Sequence, residues 1–451
     1  MRKINLLLVR RNLLLGPTGG GGGKVLQTFA KYMDKKIFNI SFCSFQRGDL
    51  EGRIKRSGFK VHSIQGIDPE RFAKLVKEKK IDVVYFVPWG EHPELIKAAK
   101  RGGASAISFM DNAGKIIDPE VTRLVDRQLA SKFCAVRYRR WYNFHGEDFH
   151  KNHWVVYCPI DFELFKKYTL SKKEVLQERK KLGIEPGTFV IGRIGRADPG
   201  KWDDILIDMM PHLVKKVPKV KFMIMGIPEG KREKIRMKNL DKYFIFVEPD
   251  PSDAKVVEFL SMIDAFVYAS VQGETFGMAI AEAMMAKKPV VVSSTPMVDN
   301  AQIELVDNGR TGFVVYTPEA FADAVAYLAA NPEVAERMGL AGYEKARREF
   351  DAEKITRMVE RSILELLAEK GYKIPKKILN RYGDAGKFPT AKDIDDFDQE
   401  YRRRLWDVVG KPDFIKIFIG EHISLSWVMQ RFIRSTKLTD LRNAVRKLAA
   451  K

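Results

Sequence analysis

Short apolar runs alternate with helix-like stretches along the first part of this chain, and this alternation most constrains its fold. The runs that we interpret as buried strands are Ile4–Val9, Phe38–Ser44, Val83–Val87, Ala106–Phe109 and Val155–Tyr157. Between them, segments such as Val25–Met33 and Pro93–Lys100 place apolar residues at helical spacing. The pattern predicts a parallel sheet with helices on both of its faces.

The same alternation starts again in the second part of the chain. Its strand-like runs are Phe189–Ile194, Lys221–Met225, Phe244–Val247, Ala265–Tyr268, Pro289–Val292 and Gly312–Val315. Its helix-like stretches are Trp202–Lys215, Asp253–Met262, Met278–Met285 and Pro318–Ala329. Two successive patterns of this kind predict an α/β protein with two doubly wound, Rossmann-like domains that face a cleft.

Chain length and changes in composition suggest the domain boundaries. A chain of 451 residues is long for a single hydrophobic core. We predict domains over residues 1–165 and 166–350, a Lys-rich linker between Asp161 and Gly187, a helix at 351–370 that closes the second domain, and a basic, mainly helical extension over 371–451.

Positive charge is concentrated in two parts of the chain. The net charge is +21, and residues 1–165 hold 29 Lys and Arg against 17 Asp and Glu. The corresponding numbers are 32 and 31 over residues 166–370, and 18 and 10 over residues 371–451. Such an uneven field attracts anions, whether phospholipid head groups, phosphorylated glycans or nucleic acid, although it also favours solubility.

The remaining composition bears on the compartment. Three scattered cysteines predict neither a disulfide framework nor a zinc site. No run of 18 uninterrupted apolar residues is present to span a membrane. Arg10 and Arg11 interrupt the first apolar run, which favours a strand over a signal peptide. We therefore expect a cytoplasmic protein and leave contact with the inner face of a membrane open.

The most informative segment covers residues 273–293, where a polar loop precedes a helix that begins near Met278. Unpaired backbone amides near Gly277 would form an anion site at the start of this helix. Glu274 lies in the loop, and Glu282 lies about one turn inside the helix. Carboxylates beside an anion site suit a ligand with hydroxyl groups as well as phosphate, because carboxylates accept strong hydrogen bonds from sugar hydroxyls.

Two further segments follow the first strand of each predicted domain. Arg196 and Lys201 lie five residues apart on a turn rich in glycine and proline, where two cations suit a diphosphate. After the first strand of the chain there are five consecutive glycines, and Gly20, Gly21 and Gly22 among them either let the backbone approach a phosphate or form a flexible loop.

Together these segments resemble glycosyltransferase family 4, a group of retaining sugar transferases with the two-Rossmann GT-B architecture, over most of residues 1–365. Arg196 and Lys201 match the family's diphosphate-binding pair. Glu274 and Glu282 match its glutamate pair, of which the first contacts the donor sugar and the second holds the ribose hydroxyls. The similarity extends to Phe276, Gly277 and Met278 in the donor loop, to Cys158–Phe165, where Cys158 replaces the usual asparagine, and to Glu304–Gly312.

One position departs from the family, which often has a histidine after a middle strand of the first domain. This chain has Asp111 and Asn112 there, so Asp111 is our candidate for that polar role, with Asn112 and His92 as alternatives. His92 also fits a capping residue, and Asp111 a turn residue. The basic and aromatic cluster Arg137–Tyr142 suits lipid head groups or nucleic acid, or is only a helix face.

The resemblance implies a retaining hexosyltransferase that uses a UDP- or GDP-linked sugar. The second domain would hold this donor, and the first would hold a lipid-linked, phosphorylated or glycan acceptor. Glu274, Arg196, Lys201 and Asp111 are the predicted catalytic residues, and we expect neither a metal nor a cofactor besides the substrate.

Two alternatives to the transferase remain open. One is a double-Rossmann phosphorylase or epimerase, and the other is a basic Rossmann-like protein that binds nucleic acid without catalysis. The neutral second domain argues against the latter, because nucleic-acid binding depends on neutralising phosphates, so we expect no nucleic-acid partner.

Overall fold

The computed structural model describes residues 1–13, 21–46, 48–87, 92–110, 119–142, 153–250, 252–383 and 391–409. The chain divides into two compact units. Among the described residues, the first unit comprises those of Met1–Lys166 and Lys345–Phe397, and the second comprises those of Lys167–Glu344 and of 398–409. No helix within the described ranges is both long enough and apolar enough to cross a bilayer.

The first unit contains a parallel sheet whose seven described strands lie in the order β3-β2-β1-β4-β5-β6-β7. The strands are β1 Ile4–Asn12, β2 Phe38–Gln46, β3 Lys60–Ser63, β4 Val83–Phe86, β5 Ser105–Met110, β6 Arg127–Ala130 and β7 His153–Val155. The predicted runs correspond to five of them, whereas the sequence did not predict β3 and β6.

Helices cover this sheet, and the described ones are Gly21–Tyr32, Leu50–Arg56, Pro69–Glu78, Pro93–Arg101, Pro119–Leu124, Lys132–Tyr142 and Phe162–Tyr168. The first of them begins at Gly21 and not at the predicted Val25. Glycine disfavours helix, so the sequence placed the helix start too late. Phe29 of this helix packs edge-on against Tyr85 and Phe109 of the sheet, which fixes the helix on that face.

The second unit contains a parallel sheet whose described strands lie in the order β10-β9-β8-β11-β13-β15. The strands are β8 Phe189–Ile194, β9 Val220–Met225, β10 Phe244–Val247, β11 Ala265–Tyr268, β13 Val290–Ser293 and β15 Gly312–Val315, and all six were predicted. Two short strands that were not predicted, β12 Gly273–Glu274 and β14 Asp299–Asn300, pair with each other beside the sheet. The strand order reverses between β8 and β11, and ligands of doubly wound sheets bind at such a point.

The described helices of the second unit are Lys172–Lys181, Ile205–Asp208, Met210–Lys216, Glu229–Met237, Asp253–Ser261, Met278–Met285, Gln302–Leu305 and Pro318–Ala330. The predicted helix Trp202–Lys215 is instead two short helices, Ile205–Asp208 and Met210–Lys216, and a 3₁₀ turn, Pro199–Lys201, precedes them. Much of the predicted linker Asp161–Gly187 is helical, and Ser171 forms a capping box with Glu174.

The long helix near the end of the chain corrects a further prediction. It spans Ala352–Glu369, and Asp351 caps it. The sequence analysis assigned this helix to the second domain, but it belongs to the first unit. There it packs against the helix Gly21–Tyr32, and the Glu360 carboxylate accepts the backbone amide of Asp34 at 2.5 Å. The buried apolar residues of the helix Ala352–Glu369 hold it in the first unit. The other described helices of this part of the chain are Pro332–Phe350, Lys376–Asn380 and Ala391–Val409.

Candidate functional site

The loop after β8 places the two predicted diphosphate-binding cations. Asp198 caps the turn Pro199–Lys201 by accepting the Gly200 amide at 2.8 Å. Arg196 is one-third exposed, and its Nη2 lies 3.5 Å from Asp198 Oδ2. The turn therefore leaves Arg196 accessible and directs Lys201 toward the loop that follows β11.

Lys201 and Glu274 are brought together across this loop. Lys201 Nζ lies 2.8 Å from Glu274 Oε1 and 3.4 Å from the carbonyl oxygen of Gly273. The hydroxyl of Tyr268 donates to the same Oε1 atom of Glu274. Both charged side chains are partly exposed, Lys201 at 22% and Glu274 at 12%. The site thus presents an ion pair whose two members were predicted to bind different parts of one ligand.

The backbone around Glu274 is held by the pairing of β12 with β14. Gly273 lies opposite Asp299 and Glu274 opposite Asn300, and the Ala301 amide donates to the Glu274 carbonyl at 2.8 Å. Gly273 has a φ of +66°, and a Cβ atom there would lie 1.5 Å from the carbonyl oxygen of Asp299. Only glycine permits this approach.

The helix Met278–Met285 begins where the sequence predicted it, directly after Gly277. Gly277 is the N-cap residue, with a φ of +97°, and has no side chain that could bond the first amides of the helix. Such amides, together with the helix dipole, favour an anion. Phe276 is buried, Met278 is half-buried, and Glu282 is 7% exposed within this helix.

Arg193 and Tyr268, which were not predicted to belong to the site, lie next to the ion pair. Arg193 of β8 is fully buried, and its Cζ atom lies 3.8 Å from the ring centroid of Trp202 and 5.1 Å from that of Tyr268. Its Nη2 donates to the carbonyl oxygen of Lys201. Burial lowers the pKa of Arg193 to about 10, opposed by Tyr268 and Glu274, so the guanidinium stays charged at neutral pH. A charged residue inside an otherwise apolar strand was the available sequence signal.

The candidate residues of the first unit are only partly described. Gly21 and Gly22 form the first turn of a helix, and a Cβ on Gly22 would meet Arg10 Nε at 3.0 Å. His92 caps the helix Pro93–Arg101 by accepting the Glu94 amide at 3.4 Å, as its capping interpretation predicts. Gly20, Asp111 and Asn112 lie outside the described residues.

The basic and aromatic cluster falls on the helix Lys132–Tyr142. Arg137 is buried, with its Cζ atom 5.6 Å from the ring centroid of Phe133. Among the side chains that the structure describes, no group of three or more His, Cys, Asp or Glu is placed to hold a metal ion.

Comparison with known proteins finds a family model that matches part of the second unit. Residues 174–345 match the family model "Glycosyl transferases group 1". Trehalose synthase of Thermococcus litoralis is 30% identical over 232 residues, which are 49% of this chain and 54% of the relative. The D-inositol 3-phosphate glycosyltransferase of Kribbella flavida is 27% identical over 43% of this chain and 46% of the relative. The chain spans about half the length of these curated relatives.

Solved structures extend the likeness to most of the chain. A Rickettsia africae glycosyltransferase matches with a TM-score of 0.69 at 18% identity, over 81% of this chain and 99% of that one. Anabaena Alr3699/HepE, solved in complex with UDP-glucose, matches with a TM-score of 0.65 at 19% identity, over 81% and 100% of the two chains. At these identities the likeness shows the fold, and the predicted two-Rossmann GT-B class is confirmed.

Proposed function

Because residues 174–345 of this chain match the family model of the group 1 glycosyl transferases, we propose that the protein transfers a hexosyl unit from a nucleoside diphosphate sugar to an acceptor hydroxyl. The Lys201–Glu274 pair beside a helix N-terminus carries this proposal. A cation and free amides suit the diphosphate, and a carboxylate suits the hydroxyls of the sugar. A nucleotide sugar offers both kinds of group.

Each residue of the site would act on a separate part of the donor. Arg196, Lys201 and the amides that follow Gly277 would stabilise the negative charge that develops on the departing diphosphate. Glu274 would accept hydrogen bonds from the sugar, and Glu282 from the ribose. These cations take the place that a divalent metal would otherwise occupy beside the diphosphate. Retention of the anomeric configuration rests on the family resemblance, and neither glutamate is assigned as a covalent nucleophile.

The base of the donor is uracil or guanine in our proposal. The complex of Anabaena Alr3699/HepE with UDP-glucose supports testing UDP-linked sugars first. Asp111 is retained as the candidate for the polar residue of the first unit that takes the place of the family's histidine close to the donor sugar.

The acceptor is proposed to be anionic or lipid-linked, and the charge of the first unit supports this. Exposed lysines precede or begin four strands that are adjacent in the sheet: Lys60 at β3, Lys36 before β2, Lys3 before β1, and Lys79 and Lys80 before β4. All strands are parallel, so these lysines lie along one edge, the amino edge, with neighbouring strands about 5 Å apart.

Residues 372–382 of the basic extension lie along the same edge of the sheet. The Tyr372 hydroxyl donates to Asp82, which precedes β4, at 3.1 Å. Tyr382 hydrogen-bonds Glu360, which in turn holds Asp34 before β2. The exposed cations between these anchors are Lys373, Lys376, Lys377 and Arg381. These contacts support a basic surface at one edge of the first unit, to which the described residues 372–382 of the extension contribute. Each such cation near an anionic lipid surface contributes about 1 kcal/mol of attraction.

The donor assignment is tested by the thermal shift that UDP, GDP, ADP and their sugars produce in the wild type and in Lys201→Ala. Lys219→Ala, which changes an exposed lysine of the same unit, is the matched control. We expect one nucleoside diphosphate to raise the melting temperature of the wild type and the control but not of Lys201→Ala. Stabilisation by oligonucleotides alone, with no response to any nucleotide, would refute the transferase.

Membrane contact is tested separately by flotation with vesicles of phosphatidylcholine, with and without phosphatidylserine. We expect binding only to the anionic vesicles and its loss in Lys79→Glu/Lys373→Glu. The control Lys215→Glu/Lys219→Glu places the same charge change on exposed lysines of the second unit. Equal binding by the two double variants would contradict the amino-edge assignment.

A further inference from the structure

One carboxylate oxygen of the site has two partners, and the proposed reaction requires one of them to leave. Glu274 Oε1 accepts Lys201 Nζ at 2.8 Å as well as the hydroxyl of Tyr268. If Lys201 binds the donor diphosphate, its ammonium group must turn away from Glu274. Lysine can do this, because it is a point charge on a flexible stem, and here it is partly exposed. Glu274 then depends on Tyr268.

The side chain of Tyr268 is held in place by burial and by ring stacking. It is the last residue of β11, is 5% exposed, and its ring stacks on Phe266 with a centroid distance of 6.2 Å and an interplanar angle of 17°. Burial raises the pKa of the Tyr268 hydroxyl well above 10, and the nearby Glu274 charge adds to this. The hydroxyl therefore keeps its proton at neutral pH and can go on donating it.

Arg193 supports the arrangement from behind. Its guanidinium lies against the rings of Trp202 and Tyr268, and it holds the main chain of Lys201 through the carbonyl oxygen. Its Nε and Nη1 atoms have no hydrogen-bond partner among the described residues, and no described carboxylate forms an ion pair with it. A buried cation in this position favours a nearby negative charge, which Glu274 supplies. Arg193 can thus anchor the Lys201 backbone while the lysine side chain moves.

We propose that Tyr268 is a positioning residue, which holds the Glu274 carboxylate toward the sugar hydroxyls once the donor diphosphate has drawn Lys201 away. This inference rests on the proposed function. Tyr268 acts through Glu274 and not on the diphosphate, so its loss affects turnover and leaves nucleotide affinity unchanged.

The test is Tyr268→Phe, which removes the hydroxyl and keeps the ring. Tyr327→Phe, a change at an exposed tyrosine of the same unit, is the matched control. We expect kcat for turnover of the nucleotide sugar to fall about thirtyfold, or about 2 kcal/mol, as for loss of a hydrogen bond to a charged group. The Kd of the free nucleoside diphosphate is expected to match that of Tyr327→Phe. In a Glu274→Ala background, the same change is expected to lower kcat no further.

Two results would overturn the inference while the proposed function stands. One is a wild-type kcat in Tyr268→Phe, and the other is an equal loss of kcat with and without Glu274, which would indicate a general structural effect. Arg193→Lys gives a second measurement, because it keeps the charge and loses the planar fork. It is expected to lower both kcat and the affinity for the free nucleotide, because the fork holds the main chain of Lys201. A wild-type protein that binds no nucleotide and turns over no sugar nucleotide refutes the proposed function itself.

Discussion

Replacing Gly273 by alanine tests whether the β12–β14 pairing positions Glu274. A non-glycine residue at the observed φ of +66° costs about 1–2 kcal/mol by itself. The new Cβ would also lie 1.5 Å from the Asp299 carbonyl oxygen, where ordinary contacts are 3.4–4 Å, so β14 must move by about 2 Å. That movement breaks the 2.8 Å bond from the Ala301 amide to the Glu274 carbonyl, at a cost of about 1 kcal/mol more.

A matched control separates the cost of the backbone conformation from the cost of moving β14. Gly187 has a φ of +77°, and a Cβ there would meet nothing within 4 Å, so Gly187→Ala pays only the backbone cost. We expect Gly273→Ala to lose about 2–3 kcal/mol of unfolding free energy in urea, against about 1–2 kcal/mol for the control. Turnover of the nucleotide sugar should fall at least about a hundredfold in Gly273→Ala alone, because Glu274 is displaced. Equal stability losses together with equal turnover would refute the reasoning.

Three further outcomes are expected. Burial raises the pKa of the Glu360 carboxyl from 4.5 to about 7. The contribution of Glu360 to stability is therefore complete below pH 4.5 and is lost as the pH rises through 7. Urea unfolding should show that Glu360→Gln abolishes this loss and is more stable than the wild type at pH 8. Arg404 Nη1 bonds the Ile303 carbonyl at 3.1 Å and Asp307 at 3.2 Å, so Arg404→Ala should lower the unfolding free energy by about 1 kcal/mol and expose this segment to limited proteolysis. Addition of EDTA should leave turnover of the nucleotide sugar unchanged, whereas a loss that Mg²⁺ restores would contradict the proposed role of Arg196 and Lys201.

The strands that the sequence predicted are those whose own residues are mostly apolar, which indicates that they are buried. Phe189–Ile194 and Ala265–Tyr268 are apolar runs bounded by polar loops, and both have the predicted limits. The two missed strands of the first sheet lack this signal. Lys60–Ser63 contains no fully buried residue. Arg127–Ala130 is fully buried but begins with two polar residues, and Arg127 is satisfied by Glu369 at 2.5 Å, 242 residues away.

The candidate site was predictable to the extent that it lies on such strands and on the helix that follows them. The start of the helix at Met278 could be predicted because the preceding loop ends at a glycine, Gly277. The contact between Lys201 and Glu274 could not, because it depends on how the turn at Asp198 and the pairing of β12 with β14 are placed in space. Strands of two residues leave no periodic pattern to detect.

The arrangement of charge in the second unit explains why an acidic residue can lie at an anion site. Without a ligand, Glu274 balances Lys201 and the buried Arg193, so the loop is not left with uncompensated positive charge. When a diphosphate takes over Lys201, the carboxylate needs new hydrogen bonds, which a phosphate cannot donate and a sugar hydroxyl can. A ligand that carries both groups satisfies both residues, whereas a simple anion breaks the ion pair without replacing what Glu274 loses. Under the proposed function, the resting ion pair would therefore favour a sugar-linked diphosphate over other anions.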